Sequence, residues 1–153
     1  MGPPEGGEGQ TMHLTIASDP VAVRSALDTV LASTAMLGLG DCARGTAEIV
    51  LAEVLNNIVE HAYARTTGEI QLRLVPKSDG VFVAVCDQGR AFPHEQLPQG
   101  ILPVIDVDAG LPEGGFGWFL IRTLVQDLRY QRTDTTNHLS FTLLTDAEPD
   151  SVH

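Results

Sequence analysis

The chain has 153 residues, 43% of them hydrophobic and 19% charged, which is enough to bury the core of one domain and too apolar for a disordered chain. A formal charge of −11 argues against nucleic acid or an anionic membrane as partner, because both call for clustered positive charge. It leaves room for a small anionic ligand, since a phosphate site can be built from backbone N–H groups, a helix N-terminus and a bound cation.

The first ten residues are rich in Gly, Pro and Glu and read as a disordered tail, followed by one domain over 11–145 and a polar tail over 146–153. Met12–Ala17 alternates as a strand does, and Ser18, Asp19 and Pro20 supply cap and first-turn signals for a helix over Pro20–Leu37, with Val23, Leu27, Val30 and Leu31 inward. Gly38 and Gly40 end that helix, and Asp41 is the expected N-cap of a second, Cys42–Ala64. In the second helix Leu51, Val54, Leu55, Ile58, Val59 and Ala62 recur at steps of three and four, so they form one apolar face. Glu53, Asn57 and His61 share the same period and make a polar stripe beside it. A carboxylate can take a proton from an attacking hydroxyl, and a carboxamide oxygen is a hard ligand suited to Mg²⁺. Taken alone, the stripe is read equally well as a solvated helix face, with His61 closing the helix by packing and hydrogen bonding.

Thr66–Gly68 marks a turn, after which Glu69–Val75 and Val81–Cys86 read as a hairpin joined at Ser78–Gly80. The second of these strands ends in Asp87, Gln88 and Gly89. The stretch Pro93–Glu113 carries prolines at 93, 98, 103 and 112 and no periodicity, and a loop of that length in a compact domain is usually functional, often a lid. Gly114, Gly115, Phe116 and Gly117 then feed an apolar helical pattern over Trp118–Leu128. A glycine-rich turn opening a helix gathers free N–H groups and the positive end of the helix dipole at one point, which suits a phosphate. Arg129–Arg132 and His138–Leu144 read as two further strands joined by a turn at Asp134–Asn137. Cys42 and Cys86 match no metal-ligand spacing and are expected as buried free thiols. No apolar run is long enough to span a membrane and the first ten residues do not resemble a leader, so the cytoplasm is the expected compartment.

Each motif is common; their order is not. A helix with Glu53 and Asn57, a strand ending in Asp87-x-Gly89, a long loop, then Gly115-x-Gly117 opening a helix resembles the ATP-binding fold of gyrase, histidine kinases, heat-shock chaperones and mismatch-repair ATPases. Within it, E-x-x-x-N-x-x-x-H-A over Glu53–Ala62 and the block Gly114–Tyr130 resemble the small bacterial anti-sigma factor serine/threonine kinases. The resemblance spans about Met12 to Leu144 and implies an α/β two-layer sandwich: a mixed, mainly antiparallel sheet with helices on one face and an ATP lid. It implies ATP and Mg²⁺ as cofactors, with Asn57 on the metal and Glu53 as general base. Asp87 would accept from the adenine amino group, with Gly89 and Ala91 beside the base, and Gly114, Gly115, Phe116 and Gly117 would cradle the phosphates. It further implies an anti-sigma factor antagonist as protein substrate, a sigma factor as a second partner, and a homodimer.

Two departures stand out. Ala91 replaces a glycine common in the adenine motif, and no Lys or Arg lies between Ala91 and Ile121, where several relatives hold the terminal phosphate. The alternatives are therefore a nucleotide-gated binding module with little transfer activity, or the ATPase part of a split sensor histidine kinase.

Overall fold

The computed structural model describes residues 10–92 and 116–145. The expected lid, Gly114 and Gly115, the side chain of Phe116 and, apart from Gln10, both expected tails lie outside the described residues.

Strand β1 (Met12–Ala17) is followed by helix α1 (Pro20–Leu31), a short 3₁₀ turn (Thr34–Met36) and the long helix α2 (Asp41–Asn57). A π-helical turn (Ile58–Ala62) continues α2, and the hairpin β2 (Glu69–Lys77) and β3 (Gly80–Asp87) comes next. Helix α3 (Phe116–Leu124) and the hairpin β4 (Gln126–Thr133) and β5 (Thr136–Leu144) complete the fold. The five strands lie in the order β1-β2-β3-β5-β4, and every pairing among the described residues is antiparallel.

One face of the sheet is apolar and carries the helices, which gives the two layers expected from the sequence. Ile70, Leu72, Leu74, Val83, Val85, Phe141 and Leu143 of the sheet are buried with Val23, Leu27 and Val30 of α1, Val50, Leu51, Val54 and Leu55 of α2, and Ile121 of α3. Period-2 alternation on β2, β3 and β5 and the three-and-four spacing on α2 both point at this seam, so local pattern and tertiary burial agree. The opposite face is polar: Thr15, Gln71, Cys86, His138 and Gln131 stand in register across all five strands.

Several boundaries differ from the sequence expectation for identifiable reasons. Helix α1 stops at Leu31, six residues early, where the Ser33 hydroxyl and backbone N–H both donate to the Val30 carbonyl and the chain tightens into the 3₁₀ turn. Asp41 lies in the first turn of α2, and Gly40 holds the cap position. The last helix ends at Leu124; Leu128, Tyr130 and Arg132 alternate inward along β4 instead. Asp127 adopts φ 55° at the irregularity in β4 pairing between Gln126 and Arg129, which kinks this edge strand. Both cysteines are free as expected, but Cys42 is exposed at the start of α2 and Cys86 is only partly covered.

Leu55 is 0% exposed within this seam, and truncation would leave a cavity that close packing cannot fully relax into. Leu55→Ala is expected to lower unfolding free energy by about 2–5 kcal/mol, read as a lower urea midpoint at unchanged slope.

Candidate functional site

Helix α2 places Glu53 and Asn57 one turn apart, both half-buried, at the edge of its apolar face. The Asn57 Nδ2 donates to the Glu53 backbone carbonyl at 2.7 Å. That bond ties one amide N–H to the helix itself, which fixes Oδ1 as the carboxamide's free acceptor. Helix α3 closes on the same stripe at Gly117. A β-carbon there would lie 2.7 Å from Glu53 Oε2 and 3.3 Å from Asn57 Nδ2, so a larger residue would displace the Glu53 carboxylate from its present place. Glu53, Asn57 and Gly117, which the sequence placed on two elements, are thus brought together.

The π turn after α2 joins this stripe to the end of β3. The helix ends here, and the unused carbonyls of its last two residues are taken up by Arg90: the Ala62 carbonyl accepts from Arg90 N–H at 2.8 Å, and the His61 carbonyl accepts from Arg90 Nη2 at 3.0 Å. Gly89 lies against the same turn, where a β-carbon would meet the Ala62 oxygen at 2.5 Å. The His61 ring itself is exposed, and it is the backbone at this residue that bonds. Tyr63 fastens the turn to the sheet, its hydroxyl donating to the Glu69 carbonyl and accepting from the Gln88 N–H, each at 2.8 Å.

Asp87, at the end of central strand β3, is 6% exposed. Its Oδ1 accepts from the Gly89 N–H and from Asn137 Nδ2, both at 2.8 Å, and among the described residues no hydrogen bond reaches Oδ2. Asn137 is 4% exposed and sits directly across from Asp87 on β5, with Arg132 next in register on β4. Arg132 Nη1 donates to the Gly89 carbonyl at 2.7 Å and to Asn137 Oδ1 at 3.0 Å, and the Tyr130 hydroxyl donates to the same Oδ1 at 2.5 Å. The tyrosine ring packs edge-on to Phe92, with centroids 5.0 Å apart, and Phe92 in turn packs edge-on to Trp118 of α3 at 5.4 Å. Ala91 is half-buried between Arg90 and this aromatic group in sequence.

Asn137, Tyr130, Arg132 and Tyr63 were not singled out from the sequence. Asn137 was read as a turn residue, yet it is in β5 and buried. For Asn137, Tyr130 and Arg132 the available signal is the alternation of β4 and β5, which puts these side chains on the core face, where a buried polar group asks for a partner.

Residues 16–143 match a protein family described as the histidine kinase-like ATPase domain, and the chain belongs to that family. Among curated proteins it is similar to the serine-protein kinase RsbW of Bacillus cereus, 34% identical over 54% of this chain and 52% of that one. It is also similar to the RsbW of Bacillus licheniformis, 36% identical over 55% and 54%, and of Bacillus subtilis, 35% identical over the same shares. The chain thus spans about half the length of the curated relatives it matches. A crystal structure of the RsbU and RsbW domains of a Mycobacterium tuberculosis protein superposes with TM-score 0.57 over 88% of this chain and 33% of that one, at 18% identity. That likeness establishes the fold.

Burial raises the Asp87 carboxyl above its ordinary range and outweighs the lowering by Asn137, the Gly89 amide, Arg132 and His138. A carboxyl whose folded pKa lies above its unfolded one holds its proton longer in the folded state. Ionisation of Asp87 therefore takes stability away as pH rises from the ordinary value of 3.8 to the raised one, and the cost persists above it. Asp87→Asn keeps an acceptor for both donors and carries no charge. It is expected to be at least as stable as the parent near neutral pH, with the advantage shrinking toward pH 3; urea titrations of both proteins across that range check this.

Proposed function

We propose that this domain binds ATP with Mg²⁺ and transfers the terminal phosphoryl group to a serine of a partner protein, an anti-sigma factor antagonist, while also holding a sigma factor. The observation that carries the proposal is the closure of Gly117 onto Glu53 and Asn57, which sets a helix start, a carboxylate and an oriented carboxamide at one point. Phosphoryl transfer calls for positioning, charge neutralisation and an oriented nucleophile.

In this reading Asp87 Oδ2 accepts from the adenine amino group, and Gly89 lets the base lie close to the backbone. The start of α3 at Phe116 and Gly117, with Gly114 and Gly115 before it, turns N–H groups toward the phosphates. Asn57 Oδ1 is a fitting ligand for Mg²⁺, which when bound would offset the charge of the phosphates. Glu53 accepts the proton of the incoming serine hydroxyl as its oxygen bonds to phosphorus and the bond to ADP breaks. The site is cytoplasmic in this proposal, and among the described residues no helix is long and apolar enough to cross a membrane. A homodimer is included on the family resemblance alone.

A second reading, a nucleotide-gated binding module with little transfer, is favoured by one observation. The guanidinium of Arg90 is engaged with the His61 carbonyl, and no other Lys or Arg precedes Ile121 in the lid region.

Calorimetric titration with ATP and ADP, with and without Mg²⁺, is expected to show Mg²⁺-dependent binding of micromolar strength, on the order of −8 kcal/mol. Absence of binding would overturn the proposal. Glu53→Gln is expected to abolish phosphoserine formation on the antagonist while binding ATP as the parent does, whereas Asp87→Asn should weaken binding about tenfold or more. Phosphate appearing on a histidine of the partner would support the split-sensor reading instead.

A further inference from the structure

The reading of Asp87 as the base-binding residue leaves open what makes its carboxyl accept and not donate. A carboxylate reads an amino group; a protonated carboxyl can donate to a carbonyl. An adenine and a 6-oxopurine differ at that position, so the protonation state and orientation of Asp87 decide which base is preferred.

The neighbouring carboxamide of Asn137 can face Asp87 in two ways. With Nδ2 toward Asp87 it stabilises the carboxylate. With Oδ1 toward Asp87 it repels a carboxylate and favours the protonated form. The partners on its far side remove this freedom. Arg132 is a donor only, so the atom 3.0 Å from its Nη1 must be the amide oxygen. The Tyr130 hydroxyl accepts from the Phe92 N–H at 3.3 Å and, with Arg132 having fixed the facing atom as an oxygen, donates its one proton to Asn137 Oδ1. On the near side Nδ2 faces only acceptors: Asp87 Oδ1, the Gly89 carbonyl at 3.3 Å and the Arg90 carbonyl at 3.1 Å.

We propose that Tyr130 and Arg132 of β4 are specificity-determining positioning residues: by fixing the Asn137 carboxamide they hold Asp87 as an acceptor and so select a 6-aminopurine over a 6-oxopurine. The inference rests on the adenine reading above. Neither residue touches the base; each acts through Asn137. Arg132 also ties down the Gly89 carbonyl, and its removal as a purely structural tie would weaken every nucleotide alike. Selectivity separates the two roles.

The test is titration of the full chain with MgATP and with MgITP, whose base carries a 6-oxo group, from pH 5 to pH 8. The parent is expected to prefer ATP. In Tyr130→Phe/Arg132→Met, ATP affinity should fall about tenfold while ITP affinity holds, so the preference drops by about that factor. Besides Asn137, the titratable and charged groups that act on Asp87 are Arg132 on β4, His138 on β5 and the adjacent Cys86 on β3. Loss of the Asn137 donor and of the Arg132 charge removes two influences that lower the Asp87 pKa, so the acid-side loss of ATP binding should move to higher pH. Arg132→Lys, which keeps a donor-only cation, should retain the preference, and Tyr130→Phe alone guards against a double variant that fails to fold. Equal weakening of both nucleotides, or an unchanged preference in folded variants, would overturn the inference while leaving the adenine reading intact. A parent that binds ATP no better than ITP would overturn the adenine reading, and the inference with it.

Discussion

A carboxylate taken out of water at the end of a central strand is costly unless donors surround it, and the end of β3 is built around that cost. Asp87 is held by the Gly89 amide and Asn137, Asn137 by Tyr130 and Arg132, and Arg132 by the Gly89 carbonyl, so the chain of bonds closes on itself. Among the described residues no buried side-chain nitrogen or oxygen is without a partner. The network spans three adjacent strands at the same register, which fixes its geometry to that of the sheet. The donors are spent on one carboxylate oxygen, which leaves the other for the base in the proposed reading.

Helix α2 is the second fixed reference. Its apolar face is anchored in the seam by Val50, Leu51, Val54 and Leu55, and this leaves Glu53 and Asn57 at the rim with little freedom to move as a pair. The π turn shifts the winding just beyond Asn57 and turns two carbonyls toward Arg90, so the same helix that carries the polar stripe also holds the loop after Asp87. Helix and sheet halves of the site are therefore linked by backbone bonds, independently of any ligand.

How much of this was legible in the sequence depends on the range of the interaction that decides it. Strand β1 was read to its observed limits and β2, β3 and the face of α2 nearly so, because alternation and helical spacing are local signals that burial confirms. Leu128 misled because it follows Leu124 at helical spacing, while the period-2 run through Tyr130 and Arg132 belongs to a strand with a kinked start. Glu53, Asn57, Asp87, Gly89 and Gly117 could be picked out by their order along the chain. Asn137 could not: its partner Asp87 is fifty residues away, and only the β3–β5 register brings the two opposite each other. The π turn is equally hidden, since nothing in Ile58–Ala62 breaks the helical pattern and the partner of its last carbonyls, Arg90, lies far along the chain.

The division between the two halves has a physical consequence for what each can do. The Asp87 end is buried, held through one carboxylate oxygen and tied to the sheet, conditions that favour recognition with little reorganisation. The Glu53 end is half-buried at a helix rim beside Gly117 in the first turn of α3, which follows directly on the glycine-rich stretch. A side chain that must meet the hydroxyl of a separate protein has to remain reachable from solvent, whereas a base-reading group gains from exclusion of water. The proposed roles meet both conditions, with Asp87 at the end of an inner strand and Glu53 on the edge of the helix packed over it.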